Sequence, residues 1–513
     1  MNEVSVNDIP LRDFRSTSAN LARHEQSSIV REALRVLQGL YAHGFGDSVD
    51  YTSALNRLRG LESLVARGIP ERTFHDEMIG AFKLLRDAHT HYLLPQVFHR
   101  RIAYLPVVIG DYFENGKRKY CASSVDAEKI PDTQLVTGVE ITHWNGTPIE
   151  AAIDCMAHDE NGAHPAARHA RALAALTMRP TWLLPLPDRD SATLTFASST
   201  GTRDANLTWN VTGLQESEDD SHLGSAVDTQ SKAIQQLRTL LFSERLKKSD
   251  DSVGEALRAS DIGYIRLANF FFGDEPFVTN FASFLASQPA GGLIVDIRGN
   301  PGGYLPAGER ALQLLGDGGP IKPTTWELRA TPEALLLCRA ISEAAHIPPA
   351  EKQQFAEYIP SLEEALKYGR PTTASFQATT SQDANNIGQV YHGPVVLLTD
   401  ALTYSVGDVF AAGFQDHRLG TILGVDEATG AGGSNDVAYE TVAKLLPATF
   451  PSLPHGASFR ISLRRCRRAG SHNGALIEKL GVSSDRVHRL TRQDRLADFS
   501  DLLDQARAIV RQQ

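Results

Sequence analysis

Beyond residue 260, short unbroken apolar runs alternate with helical stretches, and this alternation constrains the fold more than any other feature of the 513-residue chain. Residues 262–267, 293–297, 395–398 and 421–425 read as strands, with helices over 277–285, 307–315 and from about Val406. A strand that is apolar on both faces must be covered on both faces. The pattern therefore points to a multidomain α/β protein whose main sheet has helices on either side. Residues 325–385, helix-rich and polar, read as an insertion into this unit.

The pattern differs upstream. Ile29, Val30, Ala33, Leu34, Leu37 and Tyr41 recur at helical spacing, as do Leu55, Leu58, Leu61 and Val65, then Phe74, Met78, Phe82 and Leu85. Each stripe needs an apolar partner, so residues 1–99 read as a helical domain. Residues 100–212 read as β-rich, with a hairpin turn at Asn115-Gly116 and another hairpin around Gly201. The acidic run Glu216-Ser217-Glu218-Asp219-Asp220 reads as part of a linker with a helix, 213–259, ahead of the 260–513 unit.

Composition removes several function classes. With 42% hydrophobic and 22% charged residues the chain is neither disordered nor fibrous. A net charge of −10 offers no field for nucleic acid. The basic run 464–468 follows the alternating Phe459, Ile461 and Leu463, and reads as a solvated strand end. Cys121, Cys155, Cys338 and Cys466 are too scattered for a metal pair. No apolar run reaches the roughly 20 residues of a membrane span. The first residues lack a signal-peptide pattern, so a cytoplasmic location is expected, or a secreted or periplasmic one if a leader has been removed.

Four segments carry chemistry-bearing residues, and each has a plainer reading beside it. In Asp296-Ile297-Arg298-Gly299-Asn300-Pro301-Gly302-Gly303, paired glycines at a strand end can turn N–H groups toward an oxyanion, or simply make a turn. Ser405 opens a helix after a buried strand. It can be a nucleophile with the Val406 N–H beside it, or Ser405-x-x-Asp408 can be a capping box. In Asp87-Ala88-His89-Thr90-His91, either histidine can be a general base, or the segment can be a helix end that favours histidine. Glu478, among Ile477, Leu480 and Val482, can orient an imidazole or lie exposed at a strand edge.

Taken in order along the chain, these segments narrow the alternatives. Asp296 to Gly303, Ser405 heading a helix that runs to Gln415-Asp416, Ile422-Leu423-Gly424, Thr429-Gly430-Ala431-Gly432-Gly433, Glu478-Lys479-Leu480-Gly481-Val482 and Asp485 together resemble the tail-specific, or C-terminal-processing, serine peptidase family. The resemblance spans about 260–513 and implies a crotonase-like core built of βαβ units. Gly138 to Ile149 is similar to the later part of a PDZ-like domain, which implies binding of extended peptides by strand addition. One branch of the family uses a serine and a lysine within Gly-Lys-Gly. Here that stretch is Gly430-Ala431-Gly432, so the lysine is absent. The other branch, with tricorn core protease and the chlamydial protease-like activity factor, uses serine, an early histidine and a late glutamate. Asp87-Ala88-His89-Thr90 and Glu478 resemble those motifs.

The resemblance thus implies a serine endopeptidase. Ser405 would be the nucleophile and His89 the base, with Glu478 orienting the imidazole and Gly302, Gly303 and Val406 supplying the oxyanion hole. No metal or cofactor is called for. Substrates would be proteins or peptides, with no nucleic-acid partner, and the sequence leaves room for a homo-oligomer. Two rivals stand. One is a non-catalytic binder or scaffold on the same fold, as in the related modules of the retinoid-binding protein of the eye. The other is a Ser–Lys peptidase using Lys444.

Overall fold

The computed structural model describes residues 8–45, 48–130, 132–214, 226–227, 261–271, 273–316 and 319–513. The acidic run and the helix expected within 213–259 lie outside the described residues.

The four apolar runs after residue 260 form, together with the short strand Arg486–Val487, one five-stranded parallel sheet. Its order is Gly263–Arg266, Leu293–Asp296, Val395–Thr399, Thr421–Gly424 and Arg486–Val487. The reason for the unbroken patterning is visible strand by strand. Leu293 and Val295 face a core shared with Phe281, Leu312 and Phe410, from the helices Asp274–Ala286, Leu305–Leu312 and Val406–Asp416. Ile294, Val396 and Leu398 face a second core shared with Leu502, Leu503 and Ile509 of the helix Ser500–Val510. Successive residues point to opposite faces, so two covered faces require an apolar residue at every position.

The three early apolar stripes become the helices Arg23–Gly39, Val49–Arg67 and Glu71–Lys83. Their buried faces merge with the helices Pro332–Glu343 and Pro349–Tyr368 into one core. The same core takes in Phe459 and Ile461 of the long strand Ser458–Arg467, and Phe82 stacks on Phe459 at 5.4 Å. This strand pairs with Thr325–Leu328, Asn435–Ala438 and His91–Leu93. It therefore ties the N-terminal helices to the peptide segments around the main sheet.

Between them, Val107–Glu114 and Lys117–Val125 form a hairpin. Its turn residues Asn115 and Gly116 both have positive φ, 52° and 74°, as a tight two-residue turn requires. Ile141–Trp144, Ser191–Ser198 and Gly201–Thr208 build a second sheet, and the helices Ile149–Asp159 and Pro165–Thr177 lie in the same region. The hairpin also meets the C-terminal part of the chain. Phe113 donates its N–H to the Leu490 carbonyl at 2.7 Å, and Arg495 pairs with Asp111.

The basic run corrects the expectation of a solvated strand end. Arg464 is buried, stacked 4.1 Å over the Trp326 ring and bonded to Asn435 and Gln354. Arg465 and Arg467 converge on buried Glu327, and Arg468 bonds buried Asp416. Each cation meets a carboxylate or an aromatic face supplied by a distant segment, which a local pattern cannot reveal. Among the described residues no helix is long and apolar enough to cross a membrane.

Candidate active site

Two loops at the ends of adjacent strands meet at Ser405. The first begins with Asp296 and Arg298, a buried ion pair joined by Arg266. Burial alone would raise the Asp296 carboxyl, but Arg298 and Arg266 outweigh it and hold the group at about 2. These two motif residues therefore brace the loop. Asn300, fully buried, gives its amide to the Leu267 carbonyl, accepts the Gly302 N–H at 2.8 Å and takes the Tyr404 N–H on its own carbonyl at 2.8 Å. From the second loop, Thr403 Oγ donates to the Ile297 carbonyl at 3.0 Å. Asp400 accepts the Gly299 N–H at 2.8 Å.

Ser405 sits where the second loop becomes the helix Val406–Asp416, at φ 59° and ψ −122°. That backbone region is strained for a residue with a Cβ, and a serine on a sharp strand-to-helix turn has its hydroxyl turned out of the helix. The capping-box alternative is half met. Asp408 accepts the Ser405 N–H, but the Ser405 side chain does not cap the helix. Asp408 also accepts from Thr429 Oγ, Ala431 N and Gly432 N, which fixes the 429–433 loop. Burial pushes Asp408 up to about 6 against these hydrogen bonds.

Gly302 lies against this turn. A Cβ there would come within 2.4 Å of Ser405 Cβ and 2.9 Å of Val406 N, and its φ is 100°. Only glycine fits. The Gly302 N–H already bonds Asn300 Oδ1, because the tight turn folds the asparagine side chain back onto it. Val406, at the first helical position, has an N–H with no intrahelical acceptor, and Gly303 follows at φ 144°.

The sequence placed His89 at the end of a helix, but the helix stops at Lys83 and His89 lies on the turn that leads into the strand His91–Leu93. It is 0% exposed, and its ring packs at a 44° tilt against Tyr404, the residue before Ser405, with centroids 4.6 Å apart. Asp87 shapes this turn. It accepts the His89 N–H at 3.0 Å and the hydroxyls of Thr90 and Ser462, each at 2.7 Å. Pairing of His91–Leu93 with Ser458–Arg467 is what carries the early histidine to the main domain. His91 belongs to that strand, opposite Arg460.

Glu478 is 6% exposed, which overturns the strand-edge alternative. Its Oε1 accepts the Cys466 N–H at 2.7 Å and the Ser434 hydroxyl at 3.0 Å. Burial raises it to about 7, with Asp87 adding to the rise and these bonds opposing it. Lys444 is exposed on the helix Tyr439–Leu445, so the fold gives it no buried setting. Tyr404, Asp408 and Ser434 lie against these candidate residues, and the sequence alone did not single them out. Asp408 stood in the pattern as a cap. The others carry no local signal. Among the described residues, no group of three or more His, Cys, Asp or Glu is disposed to hold a metal.

Residues 261–485 match peptidase family S41 and residues 101–219 match the PDZ domain. The fold is similar to that of mature CPAF, with a TM-score of 0.66 at 15% identity, covering 96% of this chain and 97% of that one. A structure of mature CPAF complexed with lactacystin gives 0.64 at 16% identity, covering 96% and 98%. No curated protein matches the chain by sequence. The chain thus carries a serine peptidase domain of family S41 over residues 261–485, with a PDZ domain over residues 101–219 ahead of it.

Proposed function

We propose that the chain is an endopeptidase acting through Ser405, His89 and Glu478, with an acyl-enzyme intermediate. The observation that carries this is the Ser405 turn, a strained backbone that spends the capping role on Asp408 and sets the serine beside Gly302 and Val406. His89 accepts the Ser405 proton as the hydroxyl attacks a peptide carbonyl. The carbonyl π electrons move onto oxygen, where the N–H groups of Val406 and of Gly302 or Gly303 stabilise the charge. Collapse breaks the C–N bond, and His89 returns the proton to the leaving amine. Water then repeats the sequence on the ester and frees Ser405. Glu478 orients the histidine side of the site from within its hydrogen-bonded pocket. Substrates are extended peptides, in keeping with the PDZ domain.

A fluorophosphonate probe tests the nucleophile. Mass mapping is expected to find the adduct on Ser405, and lactacystin, the ligand of the CPAF complex, is expected to reduce labelling. An adduct elsewhere, or none, would favour the scaffold alternative.

Glu478 gives a signed pH expectation. Its folded value of about 7 lies above the ordinary 4.5. Folding therefore favours its neutral form. Its contribution to stability is complete below pH 4.5 and is lost as pH rises through 7. The ionised form is the better orienting acceptor, so turnover should rise through the same region. Glu478→Gln is neutral at every pH. It should lose turnover yet gain stability at pH 8, by up to ~3 kcal/mol. Melting curves and rates at pH 5 and pH 8 check this. A variant less stable than the parent at pH 8 would contradict it.

A further inference from the structure

We propose that His43 is a positioning residue for Glu478: its imidazole holds the Ser434 hydroxyl so that the hydroxyl proton points at the carboxylate. This rests on Glu478 being part of the catalytic unit. His43 Nε2 and Ser434 Oγ lie 3.0 Å apart, and Ser434 Oγ lies 3.0 Å from Glu478 Oε1. A hydroxyl has one proton to give. When Glu478 is ionised it can only accept, so Ser434 must donate to it. His43 must then donate to Ser434, which requires the proton on Nε2. When Glu478 is protonated the chain can run the other way, with His43 accepting from Ser434. The state of the carboxylate and the tautomer of His43 are thus linked through one hydroxyl.

The surroundings of His43 suit a neutral donor. It packs edge-on against Tyr41, with centroids 5.4 Å apart. Asp87 and His89 face it from the turn before His91–Leu93, Arg465 from the long strand, and Lys479 from the segment carrying Glu478. Burial lowers its pKa most, and the neighbouring cations add to this, while Asp87 opposes them. An uncharged imidazole leaves Glu478 the acceptor at the end of the chain. The segment carrying His43 comes from the N-terminal helical region, as does His89. Both imidazoles therefore reach the peptidase core from the same part of the chain.

The test compares His43→Phe, His43→Gln, Ser434→Ala, the His43→Phe/Ser434→Ala double variant and Glu478→Gln in the full chain, with one fluorogenic peptide. His43→Phe and Ser434→Ala should each lower kcat about ten- to a hundredfold with KM nearly unchanged. Each should move the acid limb of the pH profile upward by about one unit. His43→Gln, which keeps an N–H donor, should recover most of the rate. The double variant should be no slower than either single, because one chain is cut twice. Parental kcat and acid limb in His43→Phe, or multiplying effects in the double variant, would overturn the proposal. If His43→Phe does not fold, an unmoved acid limb in Ser434→Ala overturns it, and a raised limb there with a near-parental His43→Gln supports it. If Glu478→Gln is impaired while His43→Phe and Ser434→Ala are not, this inference alone falls. If Glu478→Gln is fully active, the catalytic role of Glu478 falls, and this inference with it.

Discussion

Ser405→Ala is expected to abolish peptide hydrolysis, with a loss in turnover of roughly 10⁴ to 10⁶, while the melting temperature stays close to that of the parent. The two halves of this expectation have separate causes. The loss of rate follows from removing the attacking oxygen. The unchanged stability follows from the geometry of the turn. A serine that caps a helix stabilises it by about 0.5–2 kcal/mol. Ser405 does not do so, since its side chain makes no cap hydrogen bond and Asp408 receives its N–H. Alanine keeps that N–H and the same Cβ beside Gly302. A large drop in melting temperature would show that the hydroxyl is structural. Turnover near the parental value would show that it is not the nucleophile.

His89→Ala should be about as inactive as Ser405→Ala, and the double variant scarcely worse, because a nucleophile and its base act as one unit. Ala431 stands where the resemblance to the Ser–Lys branch would place a lysine, and its N–H is tied to Asp408. A different base is therefore needed. Histidine, whose unperturbed pKa is about 6.5, is the side chain suited to that role in the neutral range. His89 is buried against Tyr404, so some loss of stability is expected from the missing ring contact, of order 0.5–1.5 kcal/mol. Melting curves separate that from the catalytic loss. Lys444→Ala, at an exposed position, should change turnover little. An active His89→Ala together with an inactive Lys444→Ala would instead restore the Ser–Lys reading.

Much of the main domain is legible in the chain because the information is local. Residues 293–297 are apolar at each position except Asp296, and two apolar faces demand two covering layers. Asp296, the exception, is satisfied by Arg298 only two residues away. Asn115-Gly116 specifies a hairpin turn because few other residue pairs accept two positive φ angles. Gly302 signals a close approach of backbone, although what approaches it, the Ser405 side chain, lies about a hundred residues later. The family resemblance added the roles of Ser405, His89 and Glu478, which no spacing in the sequence supplies.

Other features have no local trace. The arginines of 464–468 look solvated until Trp326, Glu327 and Asp416 are folded around them. Glu478 looks like an ordinary surface carboxylate until burial lifts it to about 7. Ser434 and His43 stand 391 residues apart and meet at 3.0 Å. By itself the sequence determined the periods of the helices and strands, the turns that glycine and asparagine permit, and the serine poised at a helix head. Each of these depends on the conformational preferences of neighbouring residues. Only the tertiary structure decided which imidazole touches which hydroxyl and which charges are buried. Those properties depend on groups brought together across the chain by the pairing of His91–Leu93 with Ser458–Arg467, and desolvation acts on a group only once its neighbours are in place.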